Sequence, residues 1–407
     1  MSSSQPNIGL VALDRWRGGV IYTHNLVRAL ALLPANERPR ITLFCRSSAV
    51  LFEEVCPLAD KVVVFESLLD KIFGNTRLDV PSQRTNAAIS AALLGEAAPE
   101  LAMAARREKV DTVFPVLVPY TRLLPNTIAW IPDLQHCVLP EFFSRLARAA
   151  RDKSFPALLR DPNRHVVFSS QCALDDATRA YGAPLARTHI LHFTTVPLPD
   201  WFQDPAPVVA KYSIPGPFLI VCNQFWIHKD HLTAFKAIAK LKQQGLKIHL
   251  VCTGPTQDNR NPEFFPHLKS QIKQLGIEEQ VQILGLIPRI DQVSLIRASK
   301  AVVQPSRFEG WSTVIEDARA LGKPVIASDF PVHMEQNAPG SSFFRMGDPD
   351  DCAAAIARFW QEDNAPSFSL SQHESRIVDF ARAFIRIVDE VLSRPPLAVP
   401  EVAALSR

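Results

Sequence analysis

Short apolar, β-branched runs alternate along the chain with longer segments whose apolar positions recur at helical spacing. That alternation predicts parallel strands covered on both faces by helices, an α/β fold. In the first half, Ile8–Ala12 reads as a strand and Val20–Leu33 as the helix after it. Strands are expected at Ile41–Cys45, Lys61–Phe65, Thr112–Pro115, Thr127–Ile131 and His165–Ser169, with an Ala-rich helical stretch from about Asn86 to Lys109. In the second half, strands Phe218–Cys222, Lys247–Thr253, Val281–Leu284, Ala301–Val303 and Val325–Ala327 alternate with helices Asp230–Gln243, Glu263–Leu275, Ile290–Ala298 and Thr313–Leu321. These strands are almost wholly apolar, as a sheet buried on both faces requires. Between the halves, Val196–Pro217 holds Pro197, Pro199, Pro205, Pro207, Pro215 and Pro217, a density expected to continue neither helix nor strand. The expected division is therefore 1–200, 201–375 and 376–407. The last part belongs to a helix, Ser371–Leu392, packing back toward the N-terminal domain, and a frayed tail from Ser393.

Composition narrows the class without reaching the chemistry. A chain of 407 residues exceeds one ordinary core. Its 47% apolar and 21% charged residues suit a globular protein, and no apolar run approaches the roughly 18 residues of a membrane span. A net charge of +3 is too near balance to imply nucleic acid. Seven dispersed cysteines, with no close pair and no visible secretory leader, predict reduced thiols in a cytoplasmic chain.

Candidate chemistry gathers in loops that follow strands. Gln304–Ala318 leaves a strand and opens a helix, so its amides and the positive end of the helix form an anion site. Within it, Gly310 allows close backbone approach and Glu309, without an obvious structural partner, can accept from hydroxyls. Glu316 has two readings: a carboxylate for a vicinal diol, or the closing member of a capping box begun by Thr313. Cys222–His231 is the equivalent loop one strand away, and its Lys229 suits a diphosphate, against the plain reading of a solvated lysine. Gly18–Gly19, in Asp14–Val20, form a close-approach turn that is not a dinucleotide fingerprint, or a simple turn. In Ala129–His136, Asp133 and His136 offer an acceptor-side pair, or a turn cap and a surface histidine. Asp348-Pro-Asp350 reads as a helix cap, and no cluster has metal-ligand spacing. Phe142–Arg164 interleaves arginines with apolar residues, which suits either a solvated helix over a core or peripheral contact of 142–164 with the anionic inner membrane surface.

Pro305-Ser-Arg-Phe-Glu-Gly-Trp-Ser-Thr313, with Glu316-Asp-Ala and Ala320–Ser328, resembles the E-x-n-E signature of retaining glycosyltransferases of family 4. Asn223–His231 and Trp130–His136 with Leu139–Ser144 look like a subset of that family. The resemblance implies a GT-B fold: two facing Rossmann-like domains with a cleft between them, nucleotide-sugar on the C-terminal one and acceptor on the N-terminal one. It implies retention of configuration, with no cofactor and no obligatory metal. Carried residue by residue, Glu309 resembles the carboxylate on the donor sugar. Gly310, Trp311, Ser312 and Thr313 would meet sugar and diphosphate, and Glu316 the ribose. Lys229 matches the basic residue on the diphosphate, in the loop with Asn223 and Gln224. Gly18 and Gly19 match the phosphate-facing glycine loop, while Asp133 and His136 would neighbour the reacting centre.

Three departures stand out. The two glutamates are one residue closer together than is usual, Gln224 replaces a common arginine, and Pro132 replaces a histidine beside Asp133. The expected function is transfer of a hexose-type sugar from a nucleoside-diphosphate sugar to a glycan, lipid-linked or other hydroxyl acceptor, in cell-surface polysaccharide or glycoconjugate synthesis. The alternatives are another GT-B activity, such as a nucleotide-sugar epimerase or phosphorylase, and a non-catalytic nucleotide-sugar-binding protein. Acceptor-dependent release of nucleoside diphosphate separates the first from the rest.

Overall fold

A computed structural model describes residues 5–14, 16–46, 48–65, 99–117, 124, 126–258, 260–361 and 370–393. The chain divides into two compact units, Met1–Phe193 with Arg376–Arg407, and Thr194–Ser375.

Among its described residues the first unit holds seven parallel strands: β1 Asn7–Val11, β2 Arg40–Arg46, β3 Lys61–Phe65, β4 Thr112–Val116, β5 Thr127–Ile131, β6 His165–Phe168 and β7 Arg187–Ile190. Their order is β3-β2-β1-β4-β5-β6-β7, with Ile8 of β1 facing Ile41 on one side and Thr112 on the other. The second unit holds β8 Phe218–Val221, β9 His249–Thr253, β10 Val281–Gly285, β11 Ala301–Gln304, β12 Val325–Ser328 and β13 Ser342–Phe344. These are parallel too, in the order β10-β9-β8-β11-β12-β13. Both sheets are doubly wound, each reversing direction once: at β1/β4 and at β8/β11.

Alternation along β8 shows why the run is uniformly apolar. Phe218 and Ile220 enter a core with Val293, Val302 and Ile315, whereas Leu219 and Val221 enter the opposite core with Phe235, Leu250 and Phe344. Each such side chain, fully buried, contributes roughly 1.5–3 kcal/mol relative to exposure. Gly254, just after β9, has φ +143°, and an added Cβ would lie 2.1 Å from the Asn223 carbonyl oxygen. Only glycine lets that turn pack against the loop leaving β8.

Several expectations need correction. The proline-rich stretch is not without regular structure: Pro199–Phe202 is a 3-10 turn and Ala206–Lys211 a short α-helix. Pro207 sits in that helix's first turn, where a missing N–H removes no intrahelical bond. Strands β7 and β13 have no counterpart in the sequence reading, β7 being a half-exposed Arg-Thr-His-Ile and β13 only three residues. Of the Asn86–Lys109 stretch, Pro99–Arg107 is helical and the part before 99 lies outside the described residues, as does the tail beyond Ser393. In the helix Arg145–Leu159, Phe155, Leu158 and Leu159 pack into the core with Ile131 and Val166, leaving Leu146 exposed. Three of the apolar residues of 142–164 are therefore interior, while Phe142 and Phe143 are half-buried. No helix among the described residues is long and apolar enough to cross a membrane. All seven cysteines are free thiols, and Asp348 caps the helix Pro349–Gln361 through the amides of Asp350 and Asp351.

Candidate functional site

In the second unit, the loops leaving β8 and β11 rise from adjacent strands at the point where the sheet reverses, the place where doubly wound sheets bind ligands. The β8 loop ends in a 3-10 turn, Ile227–Lys229, followed by Asp230 in the left-handed region at φ +48°, a conformation aspartate tolerates better than most residues. From there the helix His231–Gln243 starts. The turn aims Lys229 across the sheet edge: its Nζ lies 2.6 Å from Glu309 Oε1 in the β11 loop, with both side chains largely buried.

The two loops are laced together around this ion pair. Arg307 donates from Nε to Asp230 Oδ2 at 2.8 Å and from its backbone N–H to the His228 carbonyl at 2.7 Å. Beneath them, Asn223 Nδ2 donates to Gln304 Oε1 at 2.8 Å, and Gln304 Nε2 donates to Glu309 Oε1 at 2.9 Å. Burial pushes the neighbouring imidazoles down, His228 to about 2 and His231 to about 3, with the Lys229 charge adding to each. Both rings are accordingly uncharged at neutral pH. Glu309 therefore has two partners, contrary to the expectation of none, and Lys229 is not a solvated lysine.

Downstream, Ser312 caps the helix Thr313–Ala320, its hydroxyl accepting from the Ile315 amide at 3.4 Å. This overturns the capping box: the cap is one residue earlier than Thr313, and the Glu316 carboxylate points elsewhere. Glu316 is fully buried and accepts from Gln336 Nε2 at 3.1 Å and Thr194 Oγ1 at 3.3 Å, with Arg319 Nε at 3.3 Å. Gln336 also takes the Ser312 amide on its Oε1 at 2.9 Å and donates to the Ser312 carbonyl. Asp317, next along, accepts from Thr195 and Arg289. Trp311 is buried, while Gln224, Gly310 and Thr313 are half-buried. The fold thus gathers Asn223, Gln224, Lys229, Glu309, Gly310, Trp311, Ser312, Thr313 and Glu316 on two loops and one helix start. It adds Gln304, Gln336, Arg307 and Asp230, none of which the sequence reading assigned a role; a polar residue closing an apolar strand is the signal that Gln304 carried.

In the first unit, Gly18 and Gly19 lie within the opening turn of the helix Arg17–Ala31 rather than before it. A Cβ on Gly19 would lie 2.8 Å from both Leu13 Cβ and the Trp16 ring, so close packing alone demands glycine there. Asp133 accepts from the Gln135 amide at 3.0 Å, the turn-cap reading. His136 is not a surface residue: it is 2% exposed, with Nε2 at 2.8 Å from the Tyr181 hydroxyl.

Two doubly wound parallel sheets, one bearing a cation and a carboxylate at its switch point, define an α/β protein with a charged pair where such sheets bind their ligands. Residues 211–373, within the second unit, match the family model described as "Glycosyl transferases group 1". The fold is that of GT-B glycosyltransferases. HepE from Anabaena, solved with UDP and glucose, has a TM-score of 0.66 at 17% identity, over 95% of this chain and 100% of its own. Sucrose-phosphate synthase from Thermosynechococcus elongatus gives 0.66 at 14%, over 96% and 100%. Among curated relatives, the D-inositol 3-phosphate glycosyltransferase of Corynebacterium glutamicum is 32% identical over 97 residues, 23% of this chain and 22% of the relative. The mannosylfructose-phosphate synthase of Agrobacterium fabrum is 26% identical over 121 residues, 29% and 26%. The matches thus span only about a quarter of these relatives' length.

Proposed function

We propose that the chain is a retaining glycosyltransferase of family 4. It moves a hexose-type sugar from a nucleoside-diphosphate sugar to a glycan, lipid-linked or other hydroxyl acceptor, in cell-surface polysaccharide or glycoconjugate synthesis. The observation that carries this reading is the Lys229–Glu309 pair, 2.6 Å apart on two loops at the switch point of the second sheet.

On this reading the pair holds the place of the ligand. A diphosphate draws the Lys229 ammonium from Glu309, and Glu309, still held by Gln304, turns its lone pairs to sugar hydroxyls. Gly310, Trp311, Ser312 and Thr313 line the sugar–diphosphate junction, with Asn223 and Gln224 beside them. The two 3.3 Å contacts on Glu316, from Thr194 and Arg319, are the ones a ribose diol exchanges for. As the glycosidic bond breaks, negative charge grows on the departing diphosphate. Lys229 and the N-terminus of the helix Thr313–Ala320 face that charge, so no metal is required. The departing phosphate takes the acceptor's proton and attack comes on the same face. In the first unit, Gly18–Gly19 are assigned the phosphate-facing backbone and Asp133 the acceptor side; buried His136 positions its loop instead of exchanging protons with substrate. UDP with glucose, the ligand in the HepE structure, favours a uridine donor.

The test begins with thermal shift against UDP, GDP, ADP and dTDP sugars, since a ligand stabilises the fold it saturates. With the donor so found, acceptor-dependent release of nucleoside diphosphate is followed. Lys229→Ala should lose about a hundredfold or more in turnover, the effect of removing one transition-state donor. Undiminished turnover in that variant removes the role of Lys229, and donor binding with no turnover on any acceptor leaves a non-catalytic binding protein.

A further inference from the structure

Away from that loop pair, the first unit gathers a mixed nitrogen, sulfur and oxygen donor set that no sequence spacing announces. His136 and Cys137 share one short helical turn, Gln135–Val138; Asp152 lies on the helix Arg145–Leu159; Tyr181 is the last residue of the helix Gln171–Tyr181. His136 Nε2 lies 3.3 Å from Cys137 Sγ and 3.5 Å from Asp152 Oδ1. The Tyr181 hydroxyl is 2.8 Å from His136 Nε2, 2.8 Å from Asp152 Oδ1 and 3.4 Å from Cys137 Sγ. The ligand atoms of His136, Cys137 and Asp152 all fall within 4.8 Å of one another, which bars a flat arrangement of the four.

We propose that His136, Cys137 and Asp152 bind a zinc ion, with the Tyr181 hydroxyl at the fourth corner. The five edges given above run from 2.8 to 3.5 Å, against about 3.3–3.6 Å for a regular tetrahedron around an ion about 2.0–2.2 Å from each corner, so the Tyr181 hydroxyl has to withdraw by only about half an ångström from His136 and Asp152 for zinc to fit. The ligand types agree as well: imidazole and thiolate with one carboxylate select zinc over magnesium or calcium. Charge balances, because thiolate and carboxylate together neutralise a divalent ion in a half-buried place. Without metal, burial holds the Cys137 thiol above its ordinary range, so binding must release its proton. The ion would join three helical segments around the loop that follows β5. This assignment is independent of the proposed transferase activity and of Lys229.

The full chain, stripped with chelator and then given Zn²⁺ alone, should retain one equivalent through gel filtration. Loaded with Co²⁺, it should show a near-ultraviolet thiolate-to-cobalt band. Cys137→Ser should abolish the band, whereas Cys172→Ser, a thiol on the Gln171–Tyr181 helix outside the set, should keep it. Asp152→Asn, at an exposed position that does not threaten folding, should weaken zinc binding by at least about tenfold. No retained metal, a band that survives Cys137→Ser, or zinc affinity unchanged in Asp152→Asn overturns the site.

Discussion

Gln304 occupies the geometric centre of the switch-point network, yet it touches solvent nowhere. Its two amide protons face three acceptors, Glu309 Oε1 at 2.9 Å and the Ser306 and Ser312 hydroxyls at 3.2 Å each, while its oxygen takes the Asn223 amide. Replacing it with leucine removes all of these at once and leaves Asn223 and Glu309 each short of a partner. Gln304→Leu should therefore lower stability by about 1–3 kcal/mol in urea unfolding, the cost of stranding a buried polar group. It should also weaken donor binding, because Glu309 then rests on Lys229 alone; donor affinity equal to the parent's would show that Gln304 does not position the carboxylate. Residues at this scale were legible to different degrees. Lys229 and Glu309 stand out because a charge in a loop that joins an apolar strand to a helix needs a reason. Gln304 carried only the weaker signal of a polar residue closing an apolar strand, and Gln336 carried none, since a neutral amide in a polar stretch breaks no pattern. Glu316 was read wrongly on its capping side because cap position turns on one residue's backbone: Ser312, not Thr313, is extended at φ −80°, ψ 113°.

Loops matter here only because strands deliver them side by side. The β8 loop is held from below by the turn after β9, where Gly254 N–H bonds to the Gly285 carbonyl at 2.8 Å and its missing side chain admits the Asn223 backbone. Gly254→Ala forces that backbone away and also places alanine at φ +143°, a region essentially reserved for glycine. The expected result is a loss of a few kcal/mol, with donor binding impaired more than in a core variant of equal stability. Phe235→Ala, in the core below the sheet, supplies that comparison at about 3–5 kcal/mol. Equal donor affinity in the two variants, matched for folded fraction, would show that Gly254 serves packing alone. Central strands were legible from apolar runs because both their faces are covered. The edge strands β7 and β13 were not, being short or half polar. The proline-rich segment misled for a related reason, since proline bars a helix interior but is welcome in its first turn.

Across the whole molecule, both units bury histidines, His136 and His165 in the first and His228, His231, His333 and His373 in the second. The second unit holds His228, pushed to about 2, His231, to about 3, and His333, to about 4, each chiefly by burial. In the first, His165 is pushed to about 4 by burial and by His189, while His24 and His189 are lowered less. A histidine whose folded pKa lies below its unfolded value of about 6.5 is protonated first in the unfolded chain. The stability it protects is complete above pH 6.5 and drains away as pH falls toward the folded pKa. Between pH 8 and pH 5 that amounts to about 1.5 pH units of linkage, on the order of 2 kcal/mol for each strongly shifted ring. Three rings pushed down this far among the described residues of Thr194–Ser375, against His165 in the other unit, predict that acid opens the second unit first. Hydrogen exchange at pH 5 and pH 8, corrected for intrinsic rates, should show protection lost earlier across 194–375 than across β1–β7. His231→Phe keeps the ring stacked on Phe225, whose centroid is 4.3 Å away, and removes one titrating group. It should narrow the gap between the two pH values; an unchanged gap, or earlier opening of the first unit, would mean that buried imidazoles do not set the acid limit of this fold.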